Sequence, residues 1–418
     1  MKREGLWGKD FTLVVIGQII SLFGNGILRF ALPLYLLNLT QSSAIFGIVS
    51  AISFLPMILI MPVGGIIADR KNKKNIMVIL DFLTGGLMLF FYFTMNIISV
   101  VPLVIATMLI LYSIGALYQP TVQASVPALL SEEVLTKGNG IVSSITALAN
   151  LLAPVIGGMV FASFGITPII LVSIICFIAS AILELFIYIP SPKQVSGESM
   201  LLMVKEDTKV ALNYIFKEKP IIFKVMVIVC VLNAFISALI IISLPVLITT
   251  RLSLSEEMYG FSQGILAFGG LVGGMMAGVL GEKLHISKLN KCILFVALSL
   301  LPMSVSMIFK SMPMVSYILI LVSAFFSMCA STLASIMIIT FIQSETSENI
   351  MGKIMAFVMT ISMFAVPLGQ AVYGIVFQYL VGYEIFIILG VVIISLLVSI
   401  YAKKILNQGC IKTLNKNK

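Results

Sequence analysis

The sequence predicts an all-α membrane protein, with twelve transmembrane helices arranged as two pseudo-symmetric six-helix bundles. Three observations predict it. Of 418 residues, 60% are apolar and 10% charged, against about 25% charged in soluble domains, and the mean hydropathy is +1.15. The apolar residues fall in twelve blocks long enough to cross a bilayer, which takes about 20 residues. Four landmarks also recur at one offset: Gly47, Gly65, Asp69 and Pro154 are followed 213 positions later by Gly260, Gly278, Glu282 and Pro367. Soluble, disordered and collagen-like classes are excluded. The net charge of +9 does not point to nucleic acid, because the basic residues cluster between apolar blocks.

Taken in order, the first block, 11–37, carries Gln18, Asn25 and Arg29 at spacings of 7 and 4, which puts them on one helical face. The second, 44–67, runs into the charged segment Gly65-Ile-Ile-Ala-Asp69-Arg70-Lys71-Asn72-Lys73-Lys74. The third, 75–95, contains Asp81. The fourth, 99–120, contains Tyr112 and Gln119, followed by Gln123 at the same 7 and 4 spacing. The fifth, 138–163, has Ala149, Ala153 and Gly157 at successive turns, with Pro154 expected to bend it. The sixth, 166–189, contains Glu184. The polar stretch 190–219 divides an N-terminal bundle (1–189) from a C-terminal one (220–418). Met200 to Phe216 within it reads as an amphipathic surface helix or a solvated linker. The seventh block, 220–249, offers Asn233 and Ser237. The eighth, 257–281, offers Gly270, Gly274 and Gly278, and the ninth is 289–309. The tenth, 313–341, has Ser323, Ser327, Ser331 and Ser335 at strict four-residue spacing. The eleventh and twelfth are 351–379 and 382–403. The small-residue faces of the fifth and eighth blocks are expected to pack on each other, because small residues let helix backbones approach closely in lipid.

The connections set the topology. The even-numbered loops, the central linker and both tails hold 23 of the 26 basic residues; the odd-numbered loops hold Arg251 and Lys310, and Arg29 lies within a span. The positive-inside rule then puts both termini in the cytoplasm of a multi-pass cell-membrane protein.

Two of these segments carry a resemblance. Gly65 to Lys74 resembles the loop motif G-x-x-x-D-[RK]-x-G-[RK]-[RK] of the major facilitator superfamily, departing at Asn72, where Asn is the next most tolerant residue of left-handed geometry. Ala149-Asn-Leu-Leu-Ala153-Pro154-Val-Ile-Gly157-Gly158 is similar to that family's antiporter motif, with Ala at both leading glycines. Within the superfamily, the Ala31-Leu-Pro33-Leu start and the Pro120–Pro127 segment most resemble the bacterial macrolide-efflux and siderophore-exporter branch. The resemblance implies a cavity lined by spans 1, 4, 7 and 10. It also implies a gating role for Gly65, Asp69, Arg70, Lys74, Pro154, Gly157, Gly158 and Glu282. Asp69 would accept hydrogen bonds at the N-terminus of span 11.

The substrate-binding candidates are Gln18, Asn25, Arg29, Tyr112, Gln119, Asn233, Ser327 and Ser331. Arg29 lies about 7–8 Å beyond the middle of its span at 1.5 Å per residue. A charge there costs about 2.5–3.5 kcal/mol, so it is expected to face the cavity or to lock an outer gate through Glu256, Glu257 or Glu384. Asp81 and Glu184 are the coupling candidates, although Asp81, seven residues after Lys74, also suits a structural ion pair. No metal, cofactor or catalytic set is expected, since the sequence holds no HExxH, G-x-S-x-G or phosphate-binding loop. The function these features imply is secondary active export of amphipathic small molecules by a monomeric proton antiporter of the multidrug-resistance kind. The competing reading is a proton-coupled uptake permease for a metabolite.

Overall fold

A computed structural model describes residues 8–189, 200–280, 284–347 and 350–414. Twelve of its helices are long and apolar enough to cross a membrane, as the twelve blocks predict. They are α1 (Lys9–Thr40), α2 (Ser43–Arg70), α3 (Lys73–Thr94), α4 (Val100–Leu129), α5 (Glu132–Phe164) and α6 (Ile166–Glu184). After a shorter helix α7 (Met200–Asn213) come α8 (Pro220–Arg251), α9 (Glu256–Leu280), α10 (Ile286–Phe309), α11 (Pro313–Glu345) and α12 (Met351–Tyr379), then α13 (Glu384–Leu414).

Local chemistry sets the ends. Asn72 is an extended N-cap of α3 (φ −67°, ψ 112°) whose side chain accepts a 3.2 Å hydrogen bond from the Asn75 amide. The left-handed tolerance of Asn is not used here: the residue instead satisfies an orphan helix donor, for which Asn is among the best types. Gly165 alone joins α5 to α6, and its φ of 74° explains why it is glycine.

The chain packs into two units: residues 1–41, 52–200 and 256–264 form the first, and residues 42–51, 201–255 and 265–418 the second. In the first, α1 threads between α5 and α6 because its glycines leave room. A Cβ at Gly24 would lie 3.1 Å from the Phe177 ring, and one at Gly26 2.7 Å from the Ala153 Cβ. The small face Ala149/Ala153/Gly157 is therefore spent on α1. A Cβ at Gly157 would lie 3.2 Å from Phe30.

The opposite side of α5 meets the start of α9. A Cβ at Gly260 would lie 2.6 Å from the Pro154 carbonyl and 3.0 Å from the Gly158 Cα, and one at Gly264 2.6 Å from Val155. Phe30 stacks on Tyr259 at 4.9 Å, and Asn38 donates to Glu256 at 2.6 Å. The expected pairing of the 149/153/157 face with Gly270, Gly274 and Gly278 is not formed. Gly270 abuts Met328 of α11, and among the described residues nothing comes within 4 Å of a Cβ at Gly274 or Gly278.

In the second unit the packed stripe of α9 is Gly269 and Gly273, whose added Cβ atoms would strike the carbonyls of Phe325 and Cys329. The start of α2 crosses α12 just as closely, a Cβ at Gly47 lying 2.6 Å from the Gly374 Cα. Arg251 is salt-bridged to Glu384 at 2.7 Å and donates to the Phe377 carbonyl. Helix α7 and the residues after it bury Ala211, Tyr214 and Ile215 in this unit's core. Three polar contacts fix the segment: Asp207–Lys353, Lys219–Glu345 (both 2.7 Å) and Tyr214 Oη to the Glu345 carbonyl. The hydrogen bond from Glu345 raises the Lys219 ammonium above its ordinary range.

Candidate functional site

Span seven is not a plain α-helix. It opens into a π-helical turn at Asn233–Ser237, a local widening that often marks functional positions. The extra residue turns Asn233 so that its Nδ2 donates to the Ser362 carbonyl of α12 at 2.8 Å, while its Oδ1 accepts from Ser237 at 3.2 Å. Beside this turn lies a cavity of about 460 Å³ within the second unit. Asn233, Ser237, Ser331, Thr332, Ser335 and Ser362 supply its polar groups. Met328, Met355, Met359 and Met363 share the rest of the lining with Val and Ile side chains. Thioether chains repack around ligands of different shape, and a mostly apolar wall with a few placed hydroxyls suits an amphipathic molecule.

Asn233 and Ser331, both expected at the site, are thus brought together. Ser327 is not. It is fully buried and its hydroxyl donates to the Ala324 carbonyl at 3.2 Å, a bond within its own helix. The neighbouring Ser323 likewise bonds the Ser299 carbonyl. Sequence reading missed the methionines, Thr332 and Ser362, because apolar side chains at helical spacing give no signal of which face is empty.

The polar face of α1 lies in the first unit. The Arg29 guanidinium sits 4.2 Å above the Tyr112 ring and donates to the Leu111 carbonyl at 3.3 Å. It lies against Gly115, where a Cβ would collide with Nη2. Its Nε is buried without a partner. The outer-gate alternative is not what forms: among the described residues Arg29 is ion-paired with none of Glu256, Glu257 and Glu384, and Asn38 holds Glu256 while Arg251 holds Glu384. Arg29 is therefore a desolvated cation resting on an aromatic face, with no carboxylate against it among the described residues. Asn25 donates to the Ser21 carbonyl, leaving its Oδ1 buried and unpaired. Gln18 is buried with its Oε1 unpaired, and Gln119 is half-buried on α4.

Asp81 does not pair with Lys74. It turns inward and accepts a 2.6 Å hydrogen bond from Ser21 of α1, and Glu184 accepts one from Tyr118 of α4 at 2.8 Å. Of the gating candidates, Pro154 and Gly158 form the close crossing with α9 and Gly157 faces α1. Lys74 is half-buried on the first turn of α3. Gly65, Asp69 and Arg70 lie on α2 with side chains outside the described residues, as does Glu282 altogether.

Twelve membrane-spanning helices with a sparsely polar cavity among them are the architecture of a membrane transporter. Residues 14–370 match the model of the Major Facilitator Superfamily, and the chain belongs to that family. It is 26% identical over 194 residues to macrolide efflux protein A of Streptococcus pyogenes, a match covering 46% of this chain and 47% of the relative. The matched part thus spans about half the length of that relative. Macrolide efflux protein A of Enterococcus faecalis is 22% identical over 351 residues, 79% of this chain and all of that protein. The enterobactin exporter EntS of Shigella boydii is 25% identical over 163 residues, 37% of this chain and 38% of that one. Among solved structures, a bacterial homologue of the iron transporter ferroportin in its inward-facing state superposes with a TM-score of 0.69 at 17% identity, covering 94% of this chain and 98% of that one. The D-xylose–proton symporter gives 0.69 at 13% identity, with 95% and 97% covered. These likenesses show the fold of a multi-pass membrane transporter.

Proposed function

We propose that the chain exports amphipathic small molecules from the cytoplasm across the cell membrane in exchange for protons, with both termini cytoplasmic. The observation that carries this reading is the α8/α11/α12 cavity: thioether and aliphatic walls around a π-turn that presents Asn233 and Ser237. Such a wall favours a bulky ring system bearing a few hydroxyls or carbonyls over a sugar, which needs dense hydrogen bonding. In the first unit, the planar fork of Arg29, seated on Tyr112, is separately suited to a carboxylate or carbonyl-rich group of a transported molecule. The names of the efflux relatives support the outward direction and a macrolide as a probe.

Binding of erythromycin to the purified protein tests the site. Ser331→Trp, which fills part of the cavity, should weaken binding at least tenfold, a change of about 1.4 kcal/mol. Unchanged affinity in Ser331→Trp would place the ligand elsewhere. The competing uptake reading, to which the fold of the sugar–proton symporter lends support, differs in the direction of coupling, and a transport measurement separates the two.

A further inference from the structure

We propose that Asp81 and Glu184 form one proton-carrying site, distinct from the substrate cavity, which holds the proton that is exchanged for substrate. The inference rests on the exchange reading above and supplies the location that reading lacks.

Both carboxyl groups are buried, at 1% and 0% exposure. They come from different helices, Asp81 two turns into α3 and Glu184 at the last residue of α6. Hydroxyls of α1, α4 and α6 surround both. Ser21 of α1 donates to Asp81 Oδ2 at 2.6 Å and lies 3.1 Å from the Ser180 hydroxyl, one turn before Glu184. Ser180 also donates to the Gly17 carbonyl at 3.3 Å, and Tyr118 of α4 donates to Glu184 Oε1 at 2.8 Å. Gly17 makes the approach possible, since a Cβ there would stand 3.1 Å from Glu184 Oε1.

Among the described residues no cation is paired with either carboxyl. By register the other titratable groups on the packed helices are Lys9, Asp10, Arg29 and Tyr35 on α1, Lys73, Lys74 and Tyr92 on α3, Tyr112 on α4, Glu132, Glu133 and Lys137 on α5, and Cys176 on α6. Asp10 accepts from the Tyr188 amide, and Arg29 is bound to α4. Among the described residues, Tyr118 alone of the titratable groups bonds either carboxyl. Glu184 Oε2 is buried with no donor at all, and so is the Oε1 of Gln18, one turn before Ser21 on the same face of α1.

Two ionised carboxylates in such a place would repel each other without solvent or counter-ion. A proton removes one charge and converts an orphan acceptor into a donor. The helices that supply Ser21 and Tyr118 also carry Arg29 and Tyr112, so the Arg29 contact and the carboxyl pair share α1 and α4. The Ser21 and Tyr118 donors favour the ionised carboxylates, so losing either bond strengthens proton binding and remaking it promotes release to whichever side then reaches the group.

The test uses the full chain in liposomes. Infrared difference spectra across a pH titration should show a protonated-carboxyl C=O band that falls as pH rises. Asp81→Asn and Glu184→Gln should each remove or shift it, and Tyr118→Phe, which takes one hydrogen bond from Glu184, should displace its midpoint. A titrating band unchanged in all three variants overturns the inference, whatever the substrate proves to be. In transport, Glu184→Gln should lose pH-gradient-driven erythromycin accumulation at least tenfold while retaining erythromycin counterflow. Wild-type accumulation in both acid variants also overturns it and leaves the export reading standing. Should the wild type show no counterflow, the export reading fails and the infrared titration alone decides the carboxyl site.

Discussion

Arg29 is held by one carbonyl and one aromatic ring, with its Nε buried and unpaired. A cation so placed is a cost to the resting protein, because a buried charge without a partner is destabilising while an apolar side chain of similar volume is not. Arg29→Met is therefore expected to raise thermal stability, by about 1–2 kcal/mol on that argument, while reducing export of carboxylate-bearing probes. Thermal unfolding and vesicle transport on the same preparation check both halves. A loss of stability together with unchanged transport would show Arg29 to be structural. Arg29→Lys keeps the charge but not the fork, and should export anionic probes less well than wild type. Asn233→Ala breaks the bond to the Ser362 carbonyl and should cost about 1–2 kcal/mol through that orphaned acceptor, along with weaker erythromycin binding. Residue identities at these positions were legible as polar groups in apolar spans. Their partners were not: Ser21 lies 60 positions from Asp81, and Tyr118 66 from Glu184, distances over which hydrophobic periodicity carries no pairing information.

Helices explain what doublets conceal. Length and composition suffice to place twelve spans, since only a helix satisfies its own backbone in lipid. Which face packs is harder. Gly157-Gly158, Gly269-Gly270 and Gly273-Gly274 are adjacent pairs, so each of these helices offers two small stripes about 100° apart. Sequence alone favours neither. In the structure α9 uses Gly260 and Gly264 toward α5 and Gly269 and Gly273 toward α11, leaving Gly274 and Gly278 open among the described residues. A paired substitution tests this assignment. Gly260→Ala places a methyl 2.6 Å from the Pro154 carbonyl and should lower the melting temperature and slow transport. Gly274→Ala should fall within about ±0.5 kcal/mol of wild type, as substitutions in open positions usually do. Equal effects at both sites would contradict the assigned stripe. The linker helix offers a second check at this scale. Tyr214→Phe removes its bond to the Glu345 carbonyl, and amide exchange across Glu206–Phe216 should accelerate selectively if that contact anchors it.

At the scale of the molecule, the repeat at an offset of 213 residues was visible before any coordinates, because Gly47 and Gly260 occupy equivalent close crossings, against Gly374 and Gly158 respectively. The cavity was not visible, since a void is defined by side chains that fail to meet. Direction and coupling belong to this scale too, and one measurement bears on both. Inverted membrane vesicles are loaded with an acidic interior and offered erythromycin outside. Proton-driven export predicts accumulation of the drug inside, against its gradient, and collapse of that accumulation on adding a protonophore. Preloaded drug leaving faster when the interior is acidified, or uptake indifferent to the protonophore, would contradict the account.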